Sequence, residues 1–96
     1  MPAQSTAKPL HILWTPLFAS DFQSLPGEVQ ARAERTLRLL AENPRHPSLR
    51  SKKMHGVENV WEASVTLSYR ITYEVRGETL VLRRIGTHDI LRKEKR

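Results

Sequence analysis

Hydrophobic and polar residues alternate along the second half of the chain, which is the pattern expected of β-strands. Three such runs occur, at residues 60–65 (VWEASV), 69–75 (YRITYEV) and 79–85 (TLVLRRI). Short turn segments at 67–68 and 76–78 separate them, and Gly77 suits a tight hairpin. The sequence therefore predicts three consecutive antiparallel strands joined as a meander.

The first half of the chain predicts one strand and then helices. Residues 10–14 (LHILW) are mostly apolar and favour a strand that ends at Thr15-Pro16, and a short helical turn follows over 18–25. A longer helix begins at Pro26, since the missing N–H of proline costs nothing in a first turn. Its apolar residues recur every three or four positions: Val29, Ala33, Leu37 and Leu40. The order of elements predicts an α+β fold, with an N-terminal strand, one or two helices and the meander, and with helices packed on one sheet face.

A chain of 96 residues is expected to form one domain. Residues 1–8 are small and polar and predict a disordered tail. We expect the folded domain to span 9–92 and a charged C-terminal tail to occupy 93–96.

The charge of the chain is strongly positive. Sixteen Lys and Arg residues against ten Asp and Glu give a net charge of +6, which attracts nucleic acid or an acidic protein partner. The absence of cysteine excludes a disulfide scaffold and a thiolate zinc site. We expect no membrane association and a cytoplasmic location, because no apolar run is long enough for a signal peptide or a membrane span.

Basic residues from three segments are expected to meet on the sheet face opposite the helices. Strand alternation places Arg70 on that face together with Thr72 and Glu74, whereas Tyr69, Ile71, Tyr73 and Val75 face the core. The next strand ends near Arg84 and His88. The polar connector at 45–56 (RHPSLRSKKMHG) adds further basic residues: Arg50, Lys52, Lys53 and His55.

The pairing of residues 60–65 with 69–75 has two possible registers. A connecting loop with an even number of residues would place Val65 opposite Arg70. An odd number, or a bulge, would instead place Ser64 and Glu62 on the face of Arg70. The register therefore decides whether Glu62 belongs to a site or is a surface charge.

Several of these segments resemble the RelE/ParE superfamily of small bacterial toxins. The similarity is carried by residues 46–56 (HPSLRSKKMHG), 68–75 (SYRITYEV) and 85–91 (IGTHDIL), with the helix at 25–44 in the expected place, and it spans residues 10 to 91. Within this superfamily, the segments most resemble the RelE- and YafQ-like messenger-RNA interferases of type II toxin–antitoxin pairs.

This resemblance implies a microbial-ribonuclease-like α+β fold and cleavage of mRNA in the ribosomal A site, without cofactor or metal. It also implies neutralisation by a cognate acidic antitoxin. The toxin would contact operator DNA only indirectly, through this antitoxin. By position, Arg70 corresponds to the arginine that holds the scissile phosphate, and His88 to a catalytic histidine or arginine. The expected RNA-binding residues are Arg50, Lys52, Lys53 and Arg84, and His55 lies in the segment that in some members supplies a catalytic group.

Metal-free RNA cleavage needs a base for the 2′-hydroxyl, a cation for the phosphorane and an acid for the leaving oxygen. Histidine suits the acid role at neutral pH, and the planar fork of arginine suits the phosphate. We therefore expect His88 to be the acid, with Asp89 able to orient its ring, and Arg70 to bind phosphate. Glu62 and His55 are the alternative bases.

Two other functions stay open at this point. A ParE-like protein would inhibit DNA gyrase by binding, although such toxins generally lack a histidine after the last strand. A toxin fold without activity would be a binding module only. Many RelE-like toxins carry an aromatic residue just beyond this histidine, where the present chain has Ile90, Leu91 and Arg92.

Overall fold

The computed structural model describes residues 9–94. The predicted disordered tail at 1–8, and residues 95 and 96 of the predicted charged tail, lie outside that range. One five-stranded sheet has the order β1-β5-β4-β3-β2. The strands are β1 (His11–Trp14), β2 (Lys52–Lys53), β3 (Trp61–Ser64), β4 (Arg70–Arg76) and β5 (Thr79–Gly86), and the α-helices are α1 (Pro16–Gln23), α2 (Gly27–Glu42) and α3 (Asp89–Glu94). The predicted α+β fold is confirmed.

Two features of the sequence fix the first helix. Pro16 occupies the first turn, and Thr15 caps it, with Oγ1 accepting a hydrogen bond from the Phe18 amide at 3.2 Å. The same hydroxyl donates to the Leu82 carbonyl at 2.8 Å, which ties the start of α1 to the sheet. Helix α1 therefore begins before the expected turn at 18–25.

Helix α2 buries the predicted apolar stripe against one face of the sheet. Ala33, Leu37 and Leu40 are buried, and Val29 is half-buried at the start of the helix. The core combines residues from the helices, the connector and the sheet: Phe18, Ala33, Leu37, Leu40, Leu49, Ala63, Val65, Ile71, Tyr73, Leu80, Leu82 and Ile85.

The meander forms as predicted but contains a β-bulge. Thr72 on β4 pairs with Arg84 on β5, and the next residue, Tyr73, pairs with Leu82. Arg83 therefore has no cross-strand partner on β4. A bulge of this kind changes which face later residues occupy. Leu82 and Ile85 are consequently both buried in the core, although three positions separate them.

The face opposite α1 and α2 was expected to be open, and this is wrong for its central part. Thr72 is 0% and Glu74 is 6% exposed, because α3 folds over this face. The hydroxyl of Thr72 donates to Glu94 Oε2 at 2.5 Å. Glu94 itself is buried, whereas the sequence indicated a charged tail from residue 93.

Candidate active site

Arg70 begins β4 and lies between Ser64 on one neighbouring strand and Gly86 on the other. Its Nη1 donates to the carbonyl oxygens of Thr66 at 2.9 Å and Leu67 at 3.2 Å. The guanidinium is therefore held by the loop between β3 and β4. Such anchoring reduces the reorganisation needed when a charged ligand arrives.

Glu62 shares the face of Arg70. Residues 65–69 lie between the paired Ser64 and Arg70, which is the odd loop length. Glu62 is only 8% exposed, and its Oε1 lies 3.8 Å from Arg70 Nε. The hairpin therefore has the second of the two possible registers, which places Glu62 on the face of Arg70.

The two connector lysines lie on opposite faces of the sheet. Lys52 is the cross-strand partner of Glu62, so its side chain projects on the face of Arg70. Lys53 is the partner of Trp61 and projects on the helix-bearing face. Both lysines are exposed. The structure therefore brings Lys52 to Glu62 but not Lys53.

His88 lies in the turn between β5 and α3. It is exposed, and it follows Gly86, the cross-strand partner of Arg70, by two positions. Asp89 could have oriented its ring, but the carboxylate of Asp89 instead accepts a hydrogen bond from Arg92 at 2.8 Å. His88 is therefore placed by the end of the strand and the start of the helix.

Arg84 is held by a carboxylate. It lies opposite Thr72, but its Nε and Nη2 donate to the two oxygens of Asp21 at 2.7 and 3.0 Å. Asp21 Oδ2 also accepts from the Ile85 amide at 3.1 Å. The hydrogen-bonded carboxylate raises the pKa of Arg84. An RNA phosphate at Arg84 would have to compete with Asp21.

The structure does not bring the two remaining predicted residues to Arg70. His55 is exposed in the turn after β2, next to the Trp61 end of β3, whereas Arg70 pairs at the Ser64 end. Arg50 is also exposed, with a left-handed backbone (φ 49°). It lines a cavity with Trp61 on the other sheet face.

The sequence matches a family model over most of its length. Residues 12–91 match the model described as the ParE toxin of type II toxin–antitoxin system, parDE. The chain belongs to this ParE toxin family, within the RelE/ParE superfamily. No curated protein sequence matches it.

Solved toxin structures share the fold of this ParE-family chain. YafQ from E. coli strain BL21(DE3) has a TM-score of 0.73 at 17% identity, covering 85% of this chain and 97% of YafQ. RelE in the RelB–RelE complex from Methanococcus jannaschii has a TM-score of 0.65 at 24% identity, covering 84% of this chain and 95% of the other. The YoeB/ParE toxin from Agrobacterium tumefaciens has a TM-score of 0.72 at 17% identity, covering 82% and 99%. At these identities the similarity shows the fold alone.

Sequence reasoning missed a charged cluster that anchors α3 in this ParE-family chain. Arg83 Nη2 lies 2.7 Å from Glu94 Oε1, and Arg83 Nη1 donates to Glu74. Arg76 Nε also donates to Glu74, at 2.9 Å. These carboxylates raise the pKa of Arg83, most strongly through the hydrogen bonds that Arg83 donates to Glu94. The sequence showed opposite charges on neighbouring strands, at Glu74 and Arg83. It did not show that Arg83 also binds a carboxylate in residues 89–94.

Within residues 9–94, no cluster of three or more His, Asp or Glu side chains is placed to hold a metal ion. No helix in that range is long and apolar enough to cross a membrane.

Proposed function

We propose that this ParE-family toxin is a ribosome-dependent endoribonuclease that cleaves mRNA and so inhibits translation. The observation that carries the proposal is the grouping of Arg70 with Glu62, 3.8 Å apart, beside the strand end that leads to His88. A fixed cation, a carboxylate and an exposed imidazole are the three chemical functions that metal-free cleavage needs.

In the proposed reaction the carboxylate of Glu62 takes the proton from the 2′-hydroxyl. The 2′-oxygen attacks the phosphorus, and Arg70 stabilises the negative charge on the phosphorane oxygens. The bond from phosphorus to the 5′-oxygen then breaks as His88 donates a proton to that oxygen. The products are a 2′,3′-cyclic phosphate and a free 5′-hydroxyl.

Glu62 is a better base than His55 in this proposal. Glu62 lies on the face of Arg70, whereas His55 lies beyond the opposite end of β3. Lys52, opposite Glu62, adds a second cation to this face. A phosphate drawn to Arg70 would separate the guanidinium from Glu62 and leave the carboxylate next to the sugar.

The test is primer-extension mapping of mRNA in a translating extract. Wild-type protein is expected to cut within ribosome-occupied codons, and His88→Ala is expected to leave the mRNA intact. His11→Ala is the matched control, because His11 is exposed on β1, at the far edge of the sheet. Intact mRNA with wild-type protein would refute the nuclease proposal.

Inhibition of DNA gyrase is the second candidate function, favoured by the match to the ParE model itself. A supercoiling and DNA-cleavage assay with purified gyrase separates the two candidates. Gyrase inhibition that persists in Arg70→Ala and His88→Ala, together with intact mRNA, would establish this alternative. Absence of both activities would indicate a toxin fold that acts only as a binding module.

The proposed partner is a cognate acidic antitoxin, with which the toxin would form a cytoplasmic complex. Two observations support this. The net charge is +6, and similar structures include the E. coli DinJ–YafQ complex and the archaeal RelB–RelE complexes. Operator DNA would be contacted only through the antitoxin. Failure of an antitoxin encoded next to the toxin to bind the purified protein would argue against this partner.

A further inference from the structure

A cavity of about 710 Å³ opens on the helix-bearing side of the sheet, away from Arg70 and Glu62. The segment 43–51, which follows α2, forms one wall, and Trp61, Tyr73 and Val75 form the floor. All three residues lie on the same face of the sheet. Tyr73 is the cross-strand partner of Trp61 on one side and of Leu82 on the other. The volume lies within the range of roughly 300–1,000 Å³ typical of small-molecule sites.

The floor of the cavity offers an open aromatic surface. Trp61 is 37% and Val75 is 45% exposed, which is unusual for side chains on the face that packs against helices. Tyr73 is buried, and its hydroxyl donates to Ser51 Oγ at 3.2 Å. Burial raises the pKa of Tyr73, so its hydroxyl stays protonated at neutral pH.

The rim of the cavity is cationic. Arg45 and Arg50 supply the positive charge, and no Asp or Glu is among the described residues that line the cavity. Neither arginine takes part in the ion pairs found within residues 9–94. Lys53, the partner of Trp61, adds another positive charge on this face. A ligand for this cavity should therefore be anionic and carry a flat apolar part.

We propose that this cavity binds one nucleotide of single-stranded RNA, with its base stacked on Trp61 and its flanking phosphates on Arg45 and Arg50. The inference rests on the proposed function, because it takes RNA as the substrate. Aromatic side chains bind bases of any sequence by stacking, while arginines follow the backbone. The cavity would thus hold a nucleotide at a distance from the scissile bond.

The edge strand β2 connects the cavity with the proposed catalytic face. Lys52 projects beside Glu62, and Lys53 projects beside Trp61 on the other side of the sheet. An RNA strand that crosses this edge would meet one lysine on each face. This continuity of positive charge favours a polynucleotide over an acidic peptide, which would need only the cavity itself.

The test measures binding of a fluorescein-labelled 2′-O-methyl RNA decamer to the full chain by anisotropy; this probe cannot be cleaved. Trp61→Leu is expected to weaken binding by about 5- to 100-fold, whereas Trp61→Phe keeps a stacking ring and most of the affinity. Arg45→Gln and Arg50→Asn should each weaken binding and lower the salt slope by about one. Asparagine is chosen at residue 50 because it tolerates the left-handed backbone there.

Arg38→Gln is the charge control, since Arg38 is exposed on α2 outside the cavity. In a Trp14→Phe background Trp61 becomes the sole tryptophan, and its fluorescence should be quenched by the RNA. Thermal melts identify variants that fail to fold. Arg45, in an exposed loop, keeps the test valid if Trp61→Leu does not fold.

Wild-type affinity in both Trp61→Leu and Arg45→Gln would overturn the proposal. So would loss of antitoxin binding in these variants with RNA binding unchanged, which would make the cavity a protein-docking groove. RNA binding that depends on Trp61, in a protein that cuts no mRNA, would uphold this site and reject the nuclease assignment. The two proposals can therefore fail separately.

Discussion

Gly86 lies so close to Ile90 that a Cβ at residue 86 would come within 2.8 Å of Ile90 Cγ2. Because Gly86 is the cross-strand partner of Arg70, this contact packs α3 onto the sheet directly beside the proposed phosphate-binding arginine. The turn that carries His88 runs between the two contacting residues. The close approach thus sets the position of the histidine relative to Arg70.

Gly86→Ala should destabilise the protein by about 1–3 kcal/mol, since the added methyl group must displace Ile90 or α3. Urea denaturation followed by circular dichroism measures the change. Gly27→Ala is the matched control, because nothing lies within 4 Å of a Cβ at that position. Equal stability of the two variants would show that the contact with Ile90 is not tight.

Glu94→Gln should loosen α3. The substitution removes the negative charge that Arg83 binds through Nε and Nη2. We expect the free energy of unfolding to fall by about 1.5–3 kcal/mol, as for the loss of a hydrogen bond to a charged group. Hydrogen exchange should accelerate at the Leu91 amide, which donates to the His88 carbonyl. Lys93→Gln, at an exposed position of the same helix, should leave exchange unchanged. Similar exchange rates in both variants would contradict the anchoring role.

The contribution of Glu74 to stability should depend on pH. Burial alone would raise its pKa, but hydrogen bonds and charges from Arg83 and Arg76 outweigh burial and lower it. A lowered folded-state pKa means that the ionised carboxylate stabilises the folded protein at pH values above its unfolded-state pKa of about 4.3. This stabilisation is lost as the pH falls through the folded-state pKa.

The free energy of unfolding should therefore be higher in wild type than in Glu74→Gln at pH 7, and the difference should shrink as the pH falls below about 5. Urea denaturation at a series of pH values gives this difference. Glu58→Gln is the control, because Glu58 is exposed in the turn before β3. A constant difference for Glu74→Gln over the whole series would refute the role of the arginines.

Arg70→Ala should lower the rate of ribosome-dependent mRNA cleavage by about 100- to 1,000-fold, comparable to removing a donor that stabilises a transition state. Arg70→Lys should recover only part of the rate, since an ammonium cannot bind two phosphate oxygens in a planar fork. Single-turnover cleavage assays measure both rates. Arg38→Ala, an exposed substitution on α2, should cleave like wild type. Wild-type rates in Arg70→Ala would remove Arg70 from the site.

Periodic patterns predicted most of the fold. Helix α2 and strands β3 to β5 carry apolar residues at regular spacings over several turns or residue pairs, so their positions could be inferred from the sequence. Strand β2 has two residues, which is too short for any alternation. Helix α3 is also short, and its stability depends on contacts with β4 and β5 that no local pattern records.

The positions of the candidate site residues could be predicted only in part. Arg70 and His88 lie where alternation and the strand end placed them. Whether Glu62 joined them depended on the length of one loop. Lys52 and Lys53 were treated as one group because the sequence showed no strand there, and strand pairing separates them. Arg84 was predicted to bind RNA, and its ion pair with Asp21 could not be foreseen because Asp21 lies in a helix far away in the sequence.

The parallel pairing of β1 with β5 also has a consequence for synthesis of the toxin. Thr15 and Leu82 form a hydrogen bond where these strands meet and are 67 residues apart in the sequence. A contact with so large a sequence separation should form late in folding. A nascent chain cannot complete the sheet until β5 has left the exit tunnel. The complete toxin fold is therefore absent while most of the chain is still being made.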